Sequence, residues 1–128
     1  MVKIMLKKLV RDLGDKILQI EEVRENEVLI RIVKQDINEV VDFLYCNNKV
    51  RLLNMIGNDE RLINGKFALY YVFGISEIKQ FITLKTMVSE DDPTFPSLSI
   101  KIPAFNWYER EVNDLFGLRA IGHPARTP

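Results

Sequence analysis

Lys66-Phe67-Ala68-Leu69-Tyr70-Tyr71-Val72-Phe73-Gly74-Ile75 decides the fold. Phe67, Leu69, Tyr71 and Phe73 recur at every second position, the period of a strand that buries one face. Phe67 to Ile75 is also the longest unbroken apolar run, too short to cross a bilayer as a helix. Asn64-Gly65 stands just before it, a dipeptide suited to two-residue turns whose central residues both need positive φ, so a tight hairpin is predicted there. On either side, Val50 to Met55 and Gln80 to Val88 read as strands. The three together predict an antiparallel meander.

Upstream, Val2, Leu6, Leu9, Val10 and Leu13 recur at helical spacing and Gly14 follows, which predicts an amphipathic helix over 2–13. Strands are predicted over 17–20 and 27–33, joined as a hairpin through Glu25-Asn26. Asp36 with Glu39 three residues on has the form of a capping box. Ile37, Val40, Val41 and Leu44 then supply one apolar face, so a helix is predicted from Ile37 to about Cys46, stopped by Asn47-Asn48. Ser89 to Ser97 holds three consecutive acids and two prolines and reads as a solvated loop. A helix is expected over 103–116, opened by Pro103 and closed by Gly117. With no repeat or linker dividing the chain, residues 1–128 are expected to form one α+β domain. Its sheet is expected to be mainly antiparallel, with helices 37–46 and 103–116 packed on it.

Composition narrows the chemistry. Lys plus Arg and Asp plus Glu both number 18 in 128 residues, so the chain lacks the basic excess that draws proteins to nucleic acid. One cysteine, Cys46, rules out an intrachain disulfide and points to a reducing compartment. One cysteine and one histidine are too few for an iron–sulfur cluster or a usual structural zinc site, so neither metal nor cofactor is expected. Lysines 3, 7 and 8 interrupt any leader-like apolar segment, so a soluble, intracellular chain is expected. Cys46 reads as a small core or boundary residue, and no serine sits in a nucleophile elbow.

The densest stretch is Trp107-Tyr108-Glu109-Arg110-Glu111-Val112-Asn113-Asp114-Leu115-Phe116-Gly117, followed by Gly122-His123-Pro124. On a helix Ala104, Tyr108, Glu111, Val112 and Leu115 fall on one side, which makes Glu111 a carboxylate inside an apolar stripe. Such a charge needs a partner if it is buried. Arg110 and Asp114 are spaced as an i,i+4 pair. Glu109 and Glu111 point to opposite sides of a helix and cannot easily share a substrate. Surface ion pairs of this kind are worth little individually, and that bland reading stands beside any functional one.

Phe95-Pro96-Ser97-Leu98, the run Ile102 to Gly117 containing Glu109-Arg110-Glu111 and Asp114-Leu115-Phe116-Gly117, and Gly122-His123-Pro124 resemble the C subunit of respiratory complex I, the NADH–quinone oxidoreductase. They are similar also to the corresponding domain of complex-I-related, membrane-bound nickel–iron hydrogenases such as formate hydrogenlyase, where it forms the N-terminal part of the large subunit or a separate partner to it. The resemblance implies a cofactor-free domain in the peripheral arm of a membrane-associated oxidoreductase complex, on the cytoplasmic side, with no membrane span of its own. Its implied partners are the large subunit, which shapes the quinone site or bears the nickel–iron site, and the iron–sulfur subunits. Trp107, Tyr108, Glu109, Arg110, Glu111, Asp114, Phe116, His123 and Arg126 are the implied docking residues, with no catalytic, cofactor or metal residue among them. Val112-Asn113 and Leu118-Arg119-Ala120 look more hydrogenase-like than complex-I-like. Members of the family usually continue past His-Pro with an acid and a pair of arginines, whereas Ala125-Arg126-Thr127-Pro128 follows here. A differently built contact, a separately encoded hydrogenase-type subunit and a truncated chain all stay open.

Two other classes compete with a scaffold subunit. A freestanding small-molecule enzyme would use Glu109, Arg110, Glu111 and His123; an unrelated interaction module would make the terminal motif a coincidence.

Overall fold

The computed structural model describes residues 2–47, 49–75 and 79–122. Helix α1 (Val2–Leu13) leads through a 3-10 turn into β1 (Ile17–Arg24) and β2 (Glu27–Ile32), then a second 3-10 turn precedes α2 (Ile37–Tyr45). Next come β3 (Val50–Glu60), a one-turn α3 (Arg61–Asn64), β4 (Lys66–Ile75) and β5 (Gln80–Ser89). The chain continues through β6 (Thr94–Pro96), α4 (Phe105–Phe116) and β7 (Arg119–Ile121). Five strands form one sheet in the order β1-β2-β5-β4-β3, and β6 pairs with β7 separately. The class is α+β.

The meander β3-β4-β5 is antiparallel throughout, with Met55, Tyr71 and Leu84 in one cross-strand row. The β1-β2 hairpin also forms, but β2 joins the meander parallel to β5, with Ile30 opposite Leu84. The sheet is therefore mixed, with one parallel junction among antiparallel pairs. A parallel junction needs a long crossover, and here α2, β3 and β4 all lie between the two strands. Turn residues encode hairpins, whereas nothing local encodes which strands of two hairpin units become neighbours.

Alternation in β4 does select one buried face. Phe67, Leu69, Tyr71 and Phe73 are all buried. Across the ladder Phe67, Tyr71 and Phe73 meet Val88, Leu84 and Ile82 of β5, and the last two in turn meet Ile30 and Val28 of β2. Helix α4 packs on this face at both its ends: the Phe105 ring sits 5.8 Å from Tyr71 and Phe116 sits 6.0 Å from Phe67. From α2, Tyr45 meets Phe73 edge-on at 6.0 Å. Met5, Leu9 and Leu13 of α1 join the same buried cluster.

The two helices also blunt the edge of β3. The Leu52 amide donates to the Tyr45 hydroxyl at 2.9 Å, and the Tyr108 hydroxyl donates to the Leu53 carbonyl at 3.3 Å. Unpaired edge groups invite foreign strands, and here phenols answer two of them.

Three local expectations need correcting. Asp36 makes no cap hydrogen bond. The preceding 3-10 turn leaves it at φ −98°, ψ 1°, and its carboxylate lies 3.7 Å from Lys16, which also meets Glu39 at 3.2 Å. The Asn64-Gly65 connection is a helical turn closed by Gly65 at φ +80°, not a two-residue turn. Asn64 stays right-handed as the last residue of α3, its side chain donating to Glu60 at 3.0 Å. The 89–97 segment is not wholly a solvated loop, because Phe95 is buried and β6 pairs parallel to β7. Lys34 fixes that segment, its ammonium donating to the Asp92 carboxylate and carbonyl and to the Thr94 carbonyl at 2.7–3.0 Å.

Candidate functional site

Helix α4 begins at Phe105, two residues after Pro103, and stops where Gly117 turns left-handed at φ +73°. The Gly117 amide donates to the Asn113 carbonyl at 2.8 Å, and the Asn113 side chain reaches the Leu118 carbonyl at 3.1 Å. That fixes the exit into β7.

The buried side of α4 is Phe105, Glu109 and Val112, with Tyr108 and Phe116 half-buried beside it. Phe105, Glu109, Val112 and Phe116 recur at i, i+4, i+7 and i+11, the spacing of a core-facing stripe. The stripe expected from sequence began at Ala104, one residue too early, and a one-residue shift rotates the face by about 100°. Ala104, Glu111 and Leu115 are consequently exposed. The carboxylate inside the apolar stripe is Glu109, only 1% exposed.

Glu109 is answered from within the chain. One oxygen accepts the Ser97 hydroxyl at 2.6 Å and the other accepts the Leu98 amide at 2.8 Å. With its single proton committed to Glu109, Ser97 receives the Ser99 hydroxyl at 2.8 Å and the Ser99 amide at 3.2 Å. A buried carboxylate thus pins the 97–99 turn to α4, as the cost of an unpaired buried charge requires. Nearby, Tyr71 is fully buried, and its hydroxyl has no hydrogen-bond partner among the described residues. Burial pushes its phenol well up, and the Glu109 charge adds to the effect.

The opposite side of α4 differs. Trp107 is 69% exposed and Leu115 is 67% exposed, with Glu111 between them at i, i+4 and i+8. Arg110 and Asp114 flank this line and are also exposed. Among the described residues, none of these three charges has a hydrogen bond or ion pair, so the expected Arg110–Asp114 pair does not form. An exposed i,i+4 pair gains only a few tenths of a kcal/mol, too little to order a long arginine side chain.

Of the residues singled out from sequence, Trp107, Arg110, Glu111 and Asp114 therefore share the outward side. Tyr108 and Phe116 lie at its margin, and Glu109 faces the core. His123 and Arg126 lie outside the described residues. The acid and base candidates are not brought together: Glu109 is sealed in and Glu111 faces away. Among the described residues no group of three or more His, Cys, Asp or Glu is placed to hold a metal ion, and no helix is long and apolar enough to cross a membrane. Cys46 is exposed, because it falls two residues past Leu44 and so about 200° round from the buried side of α2. Sequence reasoning missed Ser97, Ser99 and Tyr71 as partners or neighbours of Glu109. The doublet Ser97-Leu98-Ser99 before a helix was the available signal.

A second charged cluster sits on the other face of the sheet. Glu60 accepts from Tyr70 at 2.6 Å, Asn64 at 3.0 Å and Asn58 at 3.1 Å, and lies 3.5 Å from Lys85. Burial alone pushes Glu60 up, but these donors outweigh it and hold the carboxyl below its usual range. A carboxylate so fully engaged fits a structural network better than a reactive one.

What the fold and this site define is an α+β chain with no assembled acid–base or metal constellation among its described residues and one helix whose outward side is apolar and charged. The sequence model of the family described as the respiratory-chain NADH dehydrogenase 30 kDa subunit matches residues 30–128. The chain belongs to that family. Among relatives, it is 37% identical over 101 residues to formate hydrogenlyase subunit 5 of Escherichia coli strain K12, covering 78% of this chain and 18% of that protein. It is 34% identical over 109 residues to hydrogenase-4 component G of the same strain, covering 84% and 20%. Against the C/D subunit of NADH-quinone oxidoreductase from Erwinia tasmaniensis it is 32% identical over 123 residues, covering 89% and 20%. The chain spans about a fifth of the length of these curated relatives. Its fold matches the trypsin-resistant fragment (1-134) of Nqo5, with TM-score 0.78 and 20% identity over 95% of this chain and 99% of that one. It also matches a chain of the membrane-bound sulfane sulfur reductase, an archaeal respiratory membrane complex, with TM-score 0.84 and 20% identity over 95% and 71%.

Proposed function

We propose that this chain is a cofactor-free structural part of a membrane-associated oxidoreductase complex, peripheral to the membrane on the cytoplasmic side, and that it docks through the outward side of α4. The observation carrying this reading is the line Trp107, Glu111 and Leu115, where two large apolar side chains flank a carboxylate with no partner among the described residues. An exposed aromatic anchor beside unpaired charge is the composition of an interface centre with its rim. Residues 1–128 act as one domain, with 103–128 as terminal helix and docking tail, and His123 and Arg126 extend the contact.

The partner we infer is the polypeptide segment corresponding to the remaining four-fifths of formate hydrogenlyase subunit 5 or of the C/D subunit of NADH-quinone oxidoreductase, on the same chain or a separate one. Iron–sulfur subunits of the same complex are the further neighbours. The greater identity to the two hydrogenase-named relatives than to the quinone-named one supports the hydrogenase branch. The freestanding enzyme reading draws no support from a site in which Glu109 and Glu111 face opposite ways.

The test is a calorimetric titration of the purified chain against that large segment from the same source, supplied separately. We expect saturable binding at unit stoichiometry and a protein-only absorption spectrum for the chain. Absence of binding, or turnover of a small molecule by the chain alone, would overturn the proposal.

A further inference from the structure

The most exposed large apolar side chains in the described residues are not on α4. Leu62 is fully exposed and Ile63 is 84% exposed, adjacent on the single turn α3 at the tip of the β3-β4 hairpin. Neither was singled out by periodicity, because a four-residue turn has none.

The turn that carries them is built rather than loose. Asp59 accepts from the Arg61 amide at 3.1 Å and from its guanidinium at 2.8 and 2.9 Å. Arg61 also reaches Glu90 at 3.4 Å and lies 4.7 Å from the centre of the Phe67 ring. Asn64 is held at both ends, donating to Glu60 at 3.0 Å and accepting the Lys66 amide at 3.0 Å. Gly65 closes the turn left-handed, its amide donating to the Arg61 carbonyl at 3.0 Å. The polar side chains of the tip therefore answer one another and leave the two apolar ones outside. Presenting apolar side chains on an already ordered turn removes part of the entropy cost of binding.

Position and charge say what they meet. The tip lies at the end of the sheet where Phe116, the last residue of α4, packs on Phe67 and over Gly57. Glu90, drawn to Arg61, opens the acidic run Glu90-Asp91-Asp92 beside it. The acidic run disfavours an anionic lipid surface, and Arg61 is already engaged by Asp59 and Glu90. Against the three consecutive acids stands one exposed lysine, Lys66, at the foot of the turn. We infer that Leu62 and Ile63 form a preorganised knob that fills an apolar pocket of the same protein partner that meets the outward side of α4. This rests on the docking reading above and adds a second, separate contact to it.

Three forms of the chain separate the outcomes: the wild type, L62S/I63S and W107A/E111R. Each is titrated calorimetrically against the large segment described above and sedimented with vesicles of phosphatidylcholine containing anionic phosphatidylglycerol. We expect L62S/I63S to melt as the wild type does, to bind the large segment at least tenfold more weakly, and no form to sediment with vesicles. Wild-type affinity in L62S/I63S with weakened W107A/E111R would overturn the knob and leave the docking reading standing. Wild-type affinity in both would overturn the two together. Sedimentation of the wild type, abolished in L62S/I63S, would overturn the protein pocket in favour of a lipid surface.

Discussion

The two sides of α4 carry similar chemistry and opposite fates. Inward, Phe105, Glu109, Val112 and Phe116 set a carboxylate among aromatic and aliphatic groups, and both carboxylate oxygens are met, by the Ser97 hydroxyl and the Leu98 amide. Outward, Trp107, Glu111 and Leu115 repeat the arrangement of acid between apolar groups, but no donor among the described residues turns toward Glu111. A charge that is answered within the chain holds the fold together; one left unanswered beside exposed apolar surface is available to something else. Burial and partners separate the two, where residue type cannot.

The largest effect on folding should come from Glu109→Ala. It strands the Leu98 amide and the Ser97 hydroxyl beneath the helix, and we expect a loss of about 2–3 kcal/mol in denaturant unfolding. Glu109→Gln, which keeps an acceptor, should recover part of it. A change under about 0.5 kcal/mol in Glu109→Ala would place this carboxylate with the outward ones.

Gly57→Ala presses on the same inward side from the sheet. An added Cβ would lie 2.7 Å from Phe116 Cε2 and 2.9 Å from Cδ2, so the ring must give way. About 1–2 kcal/mol of destabilisation is expected from such overpacking, read as a lower denaturant midpoint. An unchanged midpoint would mean that the last turn of α4 is free to move off the sheet.

Tyr71→Phe should change stability by less than about 1 kcal/mol, in the direction of a gain, because the hydroxyl it removes is buried with no partner among the described residues. A loss above about 2 kcal/mol would show that the phenol stabilises Glu109 after all.

The smallest effect concerns Asp59, whose carboxyl is held down to about 2 by hydrogen bonds from the Arg61 side chain and amide. A depressed carboxyl stabilises the fold above its unfolded value of about 4 and loses that contribution as pH falls through its folded value. Melting midpoints of wild type and Asp59→Asn should differ at about pH 5 and converge below about pH 2. A gap constant over that range would remove Asp59 from the set of charges answered in the chain.

Much of this architecture was legible in the sequence. The period of two in β4 marked the buried face through Phe67, Leu69, Tyr71 and Phe73, and Gly117 marked the end of α4. Both are local signals in which one residue type meets one backbone requirement. The parallel β2-β5 junction was not legible, because it joins strands separated by α2, β3 and β4. The phase of α4 failed for a finer reason. Ala104 and Phe105 are both apolar, and choosing the smaller as the start of the stripe exchanged Glu111 for Glu109. The larger side chain gains more from burial and should set the phase. The pairing of β6 with β7 was hidden by the acids and prolines around Phe95, although among the described residues β6 pairs with β7 alone and so tolerates Pro96 on its free edge.

The central claim is that the outward side of α4 serves assembly and not folding, and Glu111→Arg tests it most directly. The variant is titrated calorimetrically against the large segment that corresponds to the rest of formate hydrogenlyase subunit 5. We predict binding weaker by about 2 kcal/mol, the scale of a partner charge left facing its own sign, in a chain that unfolds within about 0.5 kcal/mol of the wild type. Unchanged binding, or a chain that no longer folds, would contradict the account.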